Sequence, residues 1–422
     1  MIKHLDEQEV IELIDKEADI IIPIGNGEPH RLLDILEGNY LKLENVTVHQ
    51  MLALTKRNYI SGEMKGHLTH KSYFLSGATR EAYYDGHVEL VPNVFHDVPR
   101  LLKKTTKMSM IMAVASPMDE HGYFSLGTGA DYIAEFIGHV PFMLEVNAHM
   151  PRTFGKNQIH ISQIVGYVEN DLALAEVKSP PVTEKDLAIA KFVIDEIEDG
   201  DTLQVGIGSV PNAVMAMLKD HRNLGIHTEM LTDSIVDLVA AGAVTGTNKL
   251  THKGKIIATF AYGTQCLYDF VHQNPAVEFL PVSEVNDPRE IAKEERIVSI
   301  NATTEIDLYG QCASETVAGR YYSSTGGQAD FAQGVRFAKH GKGFICMYST
   351  AKDDTISRIQ TQLTPGSVVT TSKNAVDNIV TEYGIAKLYG KSLKERANAL
   401  IDIAHPKFRE ELRFNAQKYG IL

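Results

Sequence analysis

The sequence predicts an α/β protein built from two related, open α/β domains with mostly parallel sheets. Three observations carry this. The chain has 422 residues, more than one ordinary core holds, so two domains of roughly 150–250 residues are expected. Strand-like apolar runs alternate with helical patterns, which implies parallel pairing. The same succession of elements is also written twice.

The first copy begins with the helical pattern VIELIDKEADI, Val10 to Ile20, which enters a strand, IIIPIG. A turn follows from Gly25 to Pro29, then the helix-like HRLLDIL and a strand from Asn45 to Leu52. The second copy begins with VIDEIEDGDTL at Val193 and enters the strand LQVGIG. Its turn runs from Gly206 to Pro211, followed by the helix-like NAVMAML and the strand LGIHTEML, Leu224 to Leu231. The offset drifts only from 183 (Val10 to Val193) to 179 (Met51 to Met230), which short gaps explain. A join is expected in EVKSPPVTEKD, Glu176 to Asp186, where Pro180-Pro181 breaks regular structure between charged flanks. This gives domains at 1–185 and 186–422.

The copies differ at one strand end. The first carries His49-Gln50-Met51, whereas the second carries His227-Thr228-Glu229-Met230. Only the second places an acid there. A duplicated fold with one reactive copy predicts an active site at the domain interface. His227 lies two residues before Glu229, so on a continuous strand both would share a face, and an orienting or packing role is expected for it.

Composition narrows the class. Hydrophobic content of 44% and charged content of 23% fit a soluble, enzyme-sized protein. No apolar run of about 18 residues is present, so no membrane span is expected. The acidic, amphipathic N-terminus lacks the layout of a signal peptide. Net charge of −13 argues against nucleic-acid or membrane-surface partners, yet leaves room for a phosphorylated small molecule on local donors. Cys266, Cys312 and Cys346 form no disulfide or zinc pattern, and a cytoplasmic location fits them. Among seventeen histidines there is no H-E-x-x-H, and His67 and His70 lack a third partner in sequence, so no metal is expected. No G-x-S-x-G elbow marks a serine hydrolase.

The chemistry therefore rests on the glycine turns. GIGSVP lies between strand and helix, where backbone N–H groups and the helix N-terminus favour an anion. A plain tight turn is the bland alternative. Gly206, Gly208 and Glu229 also imitate a dinucleotide fingerprint, but Pro211 stands where its third glycine would be. Gly326-Gly327 in YYSSTGGQADFAQG allows close approach of a ligand or a simple hairpin. Lys352 and Arg358 in STAKDDTISRI are candidate phosphate donors, although surface cations are usually only solvated.

These stretches together resemble the acetyl-CoA hydrolase/transferase family of class I CoA-transferases, most nearly the 4-hydroxybutyrate, butyrate and acetate CoA-transferases. The resemblance covers nearly the whole chain. It includes ASPMDEHGYFSLG from Ala115, EVNAHMPRTFG from Glu145, LQVGIGSVPNAV, LGIHTEM, GGQADF and the tail from VTEYGIAKLYG. It implies that Glu229 is the nucleophile. It also implies that Gln204, Val205, Gly206, Ile207 and Gly208 form a CoA-binding turn, with Gly326-Gly327, Thr304 and Lys352 at further CoA contacts. The S-E-N-G motif of the other class I branch is absent.

The implied activity is transfer of CoA between a short-chain acyl-CoA and a carboxylate, acetate foremost, through a glutamyl-CoA thioester. Coenzyme A is then a substrate rather than a resident cofactor. Acyl-CoA hydrolysis on the same site is the alternative. A homo-oligomer, a dimer, is implied by the family. Glu305 and Glu382 compete with Glu229 as acids, but neither follows the glycine turn.

Overall fold

The computed structural model describes residues 4–178 and 180–422. Residues 1–3, and Ser179 in the predicted join, lie outside the described residues. Contacts group the chain into two units: Met1–Val177 with Ile257–Val285, and Lys178–Ile256 with Asn286–Leu422.

In the first unit the strands are β1 (Asp19–Ile22), β2 (Val46–Met51), β3 (Leu68–Phe74), β4 (Val88–Leu90), β5 (Met110–Ala115), β6 (Phe142–Val146) and β7 (Ile164–Glu169). They form a seven-stranded sheet in the order β7-β6-β5-β1-β2-β3-β4, with every neighbouring pair parallel. All six residues of β5 are buried. Continuous burial of this kind is what a sheet covered on both faces requires. Between β1 and β2 lie the turn Gly25–Gly27 and helix α1 (His30–Gly38), as the repeat predicts.

The second unit repeats the design. Helix α2 (Glu184–Ile194) leads to β8 (Thr202–Val205), helix α3 (Ser209–Met217) and β9 (Gly225–His227). Then come β10 (Ile297–Ala302), helix α4 (Gln328–Phe337), β11 (Lys342–Cys346), β12 (Asn378–Thr381) and β13 (Gly384–Lys387). Within this unit the order is β13-β12-β11-β10-β8-β9. The pairs are parallel except β12 with β13. This is an open α/β sheet, as the sequence predicts. Helices α5 (Leu393–Asp402) and α6 (Arg409–Lys418) cover one region, where Ile345, Ile379, Leu400 and Leu412 share a buried cluster. Phe331 and Val335 of α4 pack on Ile297 of β10 and on Ile291, which fixes the start of α4.

The capping residues separate two kinds of helix end. Both α2 and α5 open with a full capping box, Thr183 with Asp186 and Ser392 with Glu395, satisfying donors that a helix start leaves free. In contrast, α3 and α4 open on Gly208 and Gly327, with no side-chain cap at either. Both uncapped starts are the glycine turns singled out in the sequence.

The predicted strand Leu224–Leu231 is interrupted. It leaves the sheet after His227 and resumes only as Met230–Leu231. The Thr228 hydroxyl occupies the break, donating to the carbonyls of Val205 and Met230 and accepting from the Val205 amide. Glu229 therefore sits in a gap in the strand, and the two-residue alternation that would pair it with His227 does not apply. Helix α3 starts at Ser209, three residues earlier than its apolar pattern suggests. Pro211 falls in its first turn, where a missing N–H costs nothing.

Candidate active site

Glu229 is partly buried beyond the end of β9. Its Oε2 accepts a hydrogen bond from Asn286 Nδ2 at 2.7 Å, the one side-chain bond it receives among the described residues. The start of α4 closes against the same oxygen. A Cβ placed on Gly327 would lie 1.7 Å from Glu229 Oε2 and 2.3 Å from Asn286 Nδ2. Gly327 has a φ of −98°, so space rather than backbone conformation demands glycine here. Burial pushes the Glu229 carboxyl up to about 7, Asn286 opposes this, and the nearby Asp330 carboxylate adds to it.

The preceding turn is built by β8 and β10. Gln204 and Asn301 exchange amide hydrogen bonds at 3.1 and 3.0 Å, and both are buried. The Gly206 N–H donates to the Ile300 carbonyl at 2.8 Å, extending the ladder one residue past the strand. A Cβ on Gly206 would stand only 3.3 Å from Asn301 Oδ1 and from the Ile300 oxygen. The chain then leaves the sheet. Ile207 is 67% exposed, and Gly208 has φ +129° and ψ 175°, a conformation open essentially to glycine alone. Ser209, the next residue, donates to Asp186 Oδ1 at 2.7 Å. Tyr348 donates to the same oxygen at 2.7 Å.

Of the predicted residues, Gly327 lies against Glu229, and Val205 is tied to Thr228, the residue before it. Gly326, at φ +60°, makes the turn that delivers Gly327. The hairpin alternative does not hold there: these glycines enter a helix, and a hairpin lies upstream, Thr316–Val317 against Arg320–Tyr321. Thr304 spends its hydroxyl inside the protein, on the carbonyls of Ala313 and Thr316, at the root of that hairpin. Lys352 lines a cleft with Tyr348 and Arg358, and Glu229 is not among that cleft's lining residues. The competing acids are committed. Glu305 accepts from the Thr364 amide, the Thr364 hydroxyl and the Ser367 hydroxyl. Glu382 accepts from the Ser349 amide and hydroxyl.

Asn286 was not legible in the sequence. It lies 57 positions from Glu229, just before the short helix Pro288–Ile291, where Asn-Asp-Pro reads as punctuation. Its Oδ1 is buried and has no hydrogen-bond partner among the described residues. An orphaned buried amide oxygen is uncommon and accompanies functional sites. Among the described residues no group of three His, Cys, Asp or Glu is placed to hold a metal, and no helix is long and apolar enough to cross a membrane.

Two family models match the chain: the acetyl-CoA hydrolase/transferase N-terminal domain over residues 2–179 and the C-terminal domain over residues 263–416. The chain belongs to the acetyl-CoA hydrolase/transferase family. It is 45% identical over 405 residues to succinyl-CoA:cyclohexane-1-carboxylate CoA transferase of Geobacter metallireducens, covering 96% of this chain and 92% of the relative. It is 41% identical over 415 residues to 4-hydroxybutyrate coenzyme A transferase of Clostridium kluyveri, covering 97% and 96%. Among solved structures, RipA from Yersinia pestis aligns with a TM-score of 0.92 at 36% identity, covering 100% of this chain and 98% of RipA. The 4-hydroxybutyrate CoA-transferase of Porphyromonas gingivalis aligns at 0.83 and 34%, covering 98% and 96%. The family and the open α/β fold anticipated from the motifs are thus those found.

Proposed function

We propose that this protein is a CoA-transferase that moves CoA between a short-chain acyl-CoA and a carboxylate, with acetate as the common acceptor and Glu229 as nucleophile. The observation that carries this reading is the Glu229 carboxylate itself. It is held by one donor, Asn286, beneath the backbone of Gly327, in surroundings that lift its pKa to about 7. Such a carboxylate is still substantially ionised at neutral pH and is more nucleophilic than a solvated one. Glu305 and Glu382, each held by hydrogen bonds from neighbouring loops, serve structure instead.

The steps balance without an external energy source. A Glu229 oxygen attacks the thioester carbonyl, the C–S bond breaks, and an acyl–glutamyl anhydride and CoA thiolate result. The thiolate attacks the glutamyl carbonyl, releasing the acyl group as its carboxylate and leaving CoA on Glu229 as a thioester. A second carboxylate reverses the sequence. Covalent catalysis divides one difficult exchange into easier parts. Asn286 Nδ2, which already donates to Glu229 Oε2, would stabilise the charge that gathers on that oxygen when the thiolate attacks the glutamyl carbonyl. The Gln204–Gly208 turn and the cleft beside Lys352 take the CoA. Thr304 acts through the hairpin it anchors.

Incubation with acyl-CoA and no acceptor, followed by borohydride, tests the reading. The expected product is an alcohol at Glu229, located by mass on the peptide containing LGIHTEML. Labelling at Glu305 or Glu382 would overturn the assignment. Hydrolysis is the second reading, favoured by a 27% identity over 281 residues to an acetyl-CoA hydrolase of Candida albicans. CoA release that is unaffected by acetate, with no acetyl-CoA formed from a longer acyl-CoA, would select it.

A further inference from the structure

In the proposed reaction Glu229 changes charge. It is a carboxylate in the free enzyme and an uncharged thioester when it carries CoA. A fixed charge beside it therefore favours one form over the other. Helix α4 supplies such a charge. The missing Cβ of Gly327 points at Glu229, since a carbon there would lie 1.7 Å from Oε2. Asp330 stands three residues on, in the first turn of α4, and the Phe331 amide closes that turn on the Gly327 carbonyl at 3.1 Å. Residues three apart share a helix face, and helical side chains lean back toward the N-terminus. Both rules aim the Asp330 side chain at the end of α4 that covers Glu229. Asp330 is only 2% exposed, so little solvent screens it.

The other groups around the carboxylate act differently. Asn286 Nδ2 donates to Glu229 Oε2 and favours the charged form. Asp287, next to Asn286, is held by Arg289 Nη2 at 2.5 Å. Asp233, four residues beyond Glu229, opens the helix Asp233–Ala240 and is half-buried. On the strand side His227 is buried, and its ring meets that of Phe331, the neighbour of Asp330, edge-on at 6.3 Å. Of these groups, Asp330 is the one whose charge bears on Glu229, in the sense opposite to Asn286. The helix also works against Asp330, because an uncapped N-terminus at Gly327 favours an anion. An acid in the first turn offsets that partial charge.

We propose that Asp330 is a positioning residue for the transfer, whose buried carboxylate disfavours free Glu229 and so favours the form in which Glu229 carries CoA. The inference rests on the CoA-transferase reading and names what sets the level of its covalent intermediate. In the free enzyme two carboxylates of like charge stand side by side. When acyl-CoA gives up its CoA, the acyl group leaves as a carboxylate and Glu229 becomes a neutral thioester. The repulsion is relieved at that stage. It returns when an acceptor carboxylate takes the CoA and Glu229 regains its charge. Asp330 acts through Glu229 rather than on the thioester or the acceptor.

The test is the equilibrium between free enzyme with acyl-CoA and CoA-loaded enzyme with carboxylate. Enzyme is mixed with acetyl-CoA and acetate at fixed ratios at pH 8, where Glu229 is ionised, and intact mass gives the fraction bearing CoA. Asp330→Asn should lower the equilibrium constant roughly tenfold, the equivalent of one pH unit. The ascending limb of its kcat/KM profile should move to lower pH by about the same amount. Asp330→Glu keeps the charge and should stay near wild type. An unchanged or larger constant in Asp330→Asn, or an equal fall in Asp330→Glu, overturns the proposal. Asp330 has other interactions within the protein, so lost stability alone is no support. The Glu229→Gln background separates the two effects, with Asp330→Ser as a second neutral variant. In urea unfolding at pH 8, a neutral residue at 330 should destabilise Glu229→Gln more than wild type, because only wild type has a repulsion to relieve. An equal loss in both, or neutral variants that fold only with Glu229→Gln, also overturns it. Failure of the CoA-transferase reading looks different, since wild type would then gain no CoA mass from any acyl-CoA.

Discussion

Replacing Glu229 with glutamine should abolish transfer and stabilise the fold, and the stabilisation should depend on pH. Glutamine keeps the shape and can still accept from Asn286 Nδ2. What it removes is a charge whose formation the folded site resists. The carboxyl is pushed up to about 7 in the folded protein from the 4.5 of a solvated glutamate, because of burial first and Asp330 second. The difference, 7 − 4.5, corresponds to about 3 kcal/mol. The sign follows from the raised value. Below about 4.5 the group is protonated in both states and costs nothing. As pH rises toward 7 the unfolded chain ionises first, and stability is lost. Above about 7 both states are ionised and the full penalty is present. Wild type and Glu229→Gln should therefore melt at similar temperatures near pH 4.5. By pH 8 the variant should melt several degrees higher, since a unit of roughly 200 residues moves about 2–4 °C per kcal/mol. Thermal melts followed by circular dichroism from pH 4.5 to 8 measure this. A difference that is flat across that range, or largest at the acid end, refutes the reasoning. The same ionisation should appear in wild-type kinetics as a rise in kcat/KM with pH centred near 7.

Three further outcomes follow from the same geometry. Gly327→Ala should fold, yet lose transfer by about a hundredfold or more, because its Cβ would displace Glu229 and Asn286; steady-state kinetics on a variant with an unaltered circular dichroism spectrum check this. Asn286→Ala removes the donor that holds the Glu229 pKa down, so the ascending limb of the pH–rate profile should move upward by about one to two units. Glu305→Gln should cost about 1–3 kcal/mol of stability in urea unfolding, through its bonds to Thr364 and Ser367, and should still form the borohydride-trapped adduct.

The fold was legible because its signals are local and repeated. Parallel strands buried on both faces must be apolar runs, helices between them must be amphipathic, and the turn where each strand feeds a helix needs glycine. Those constraints act within a few residues, so the duplication could be read from Val10 and Val193 onward. Glu229 stands out as a candidate in the sequence for the same reason: it follows a glycine turn at a strand end, where the first copy carries Gln50 instead. Tertiary structure decided the remainder. The break at Thr228 depends on a hydroxyl reaching the neighbouring strand at Val205, and strand pairing is not written in either segment alone. Asn286 meets Glu229 across 57 residues, and the demand for glycine at 327 comes from those two side chains rather than from its own φ. Local sequence sets which elements form; which side chains meet, and which charges lose their water, depends on how distant elements pack.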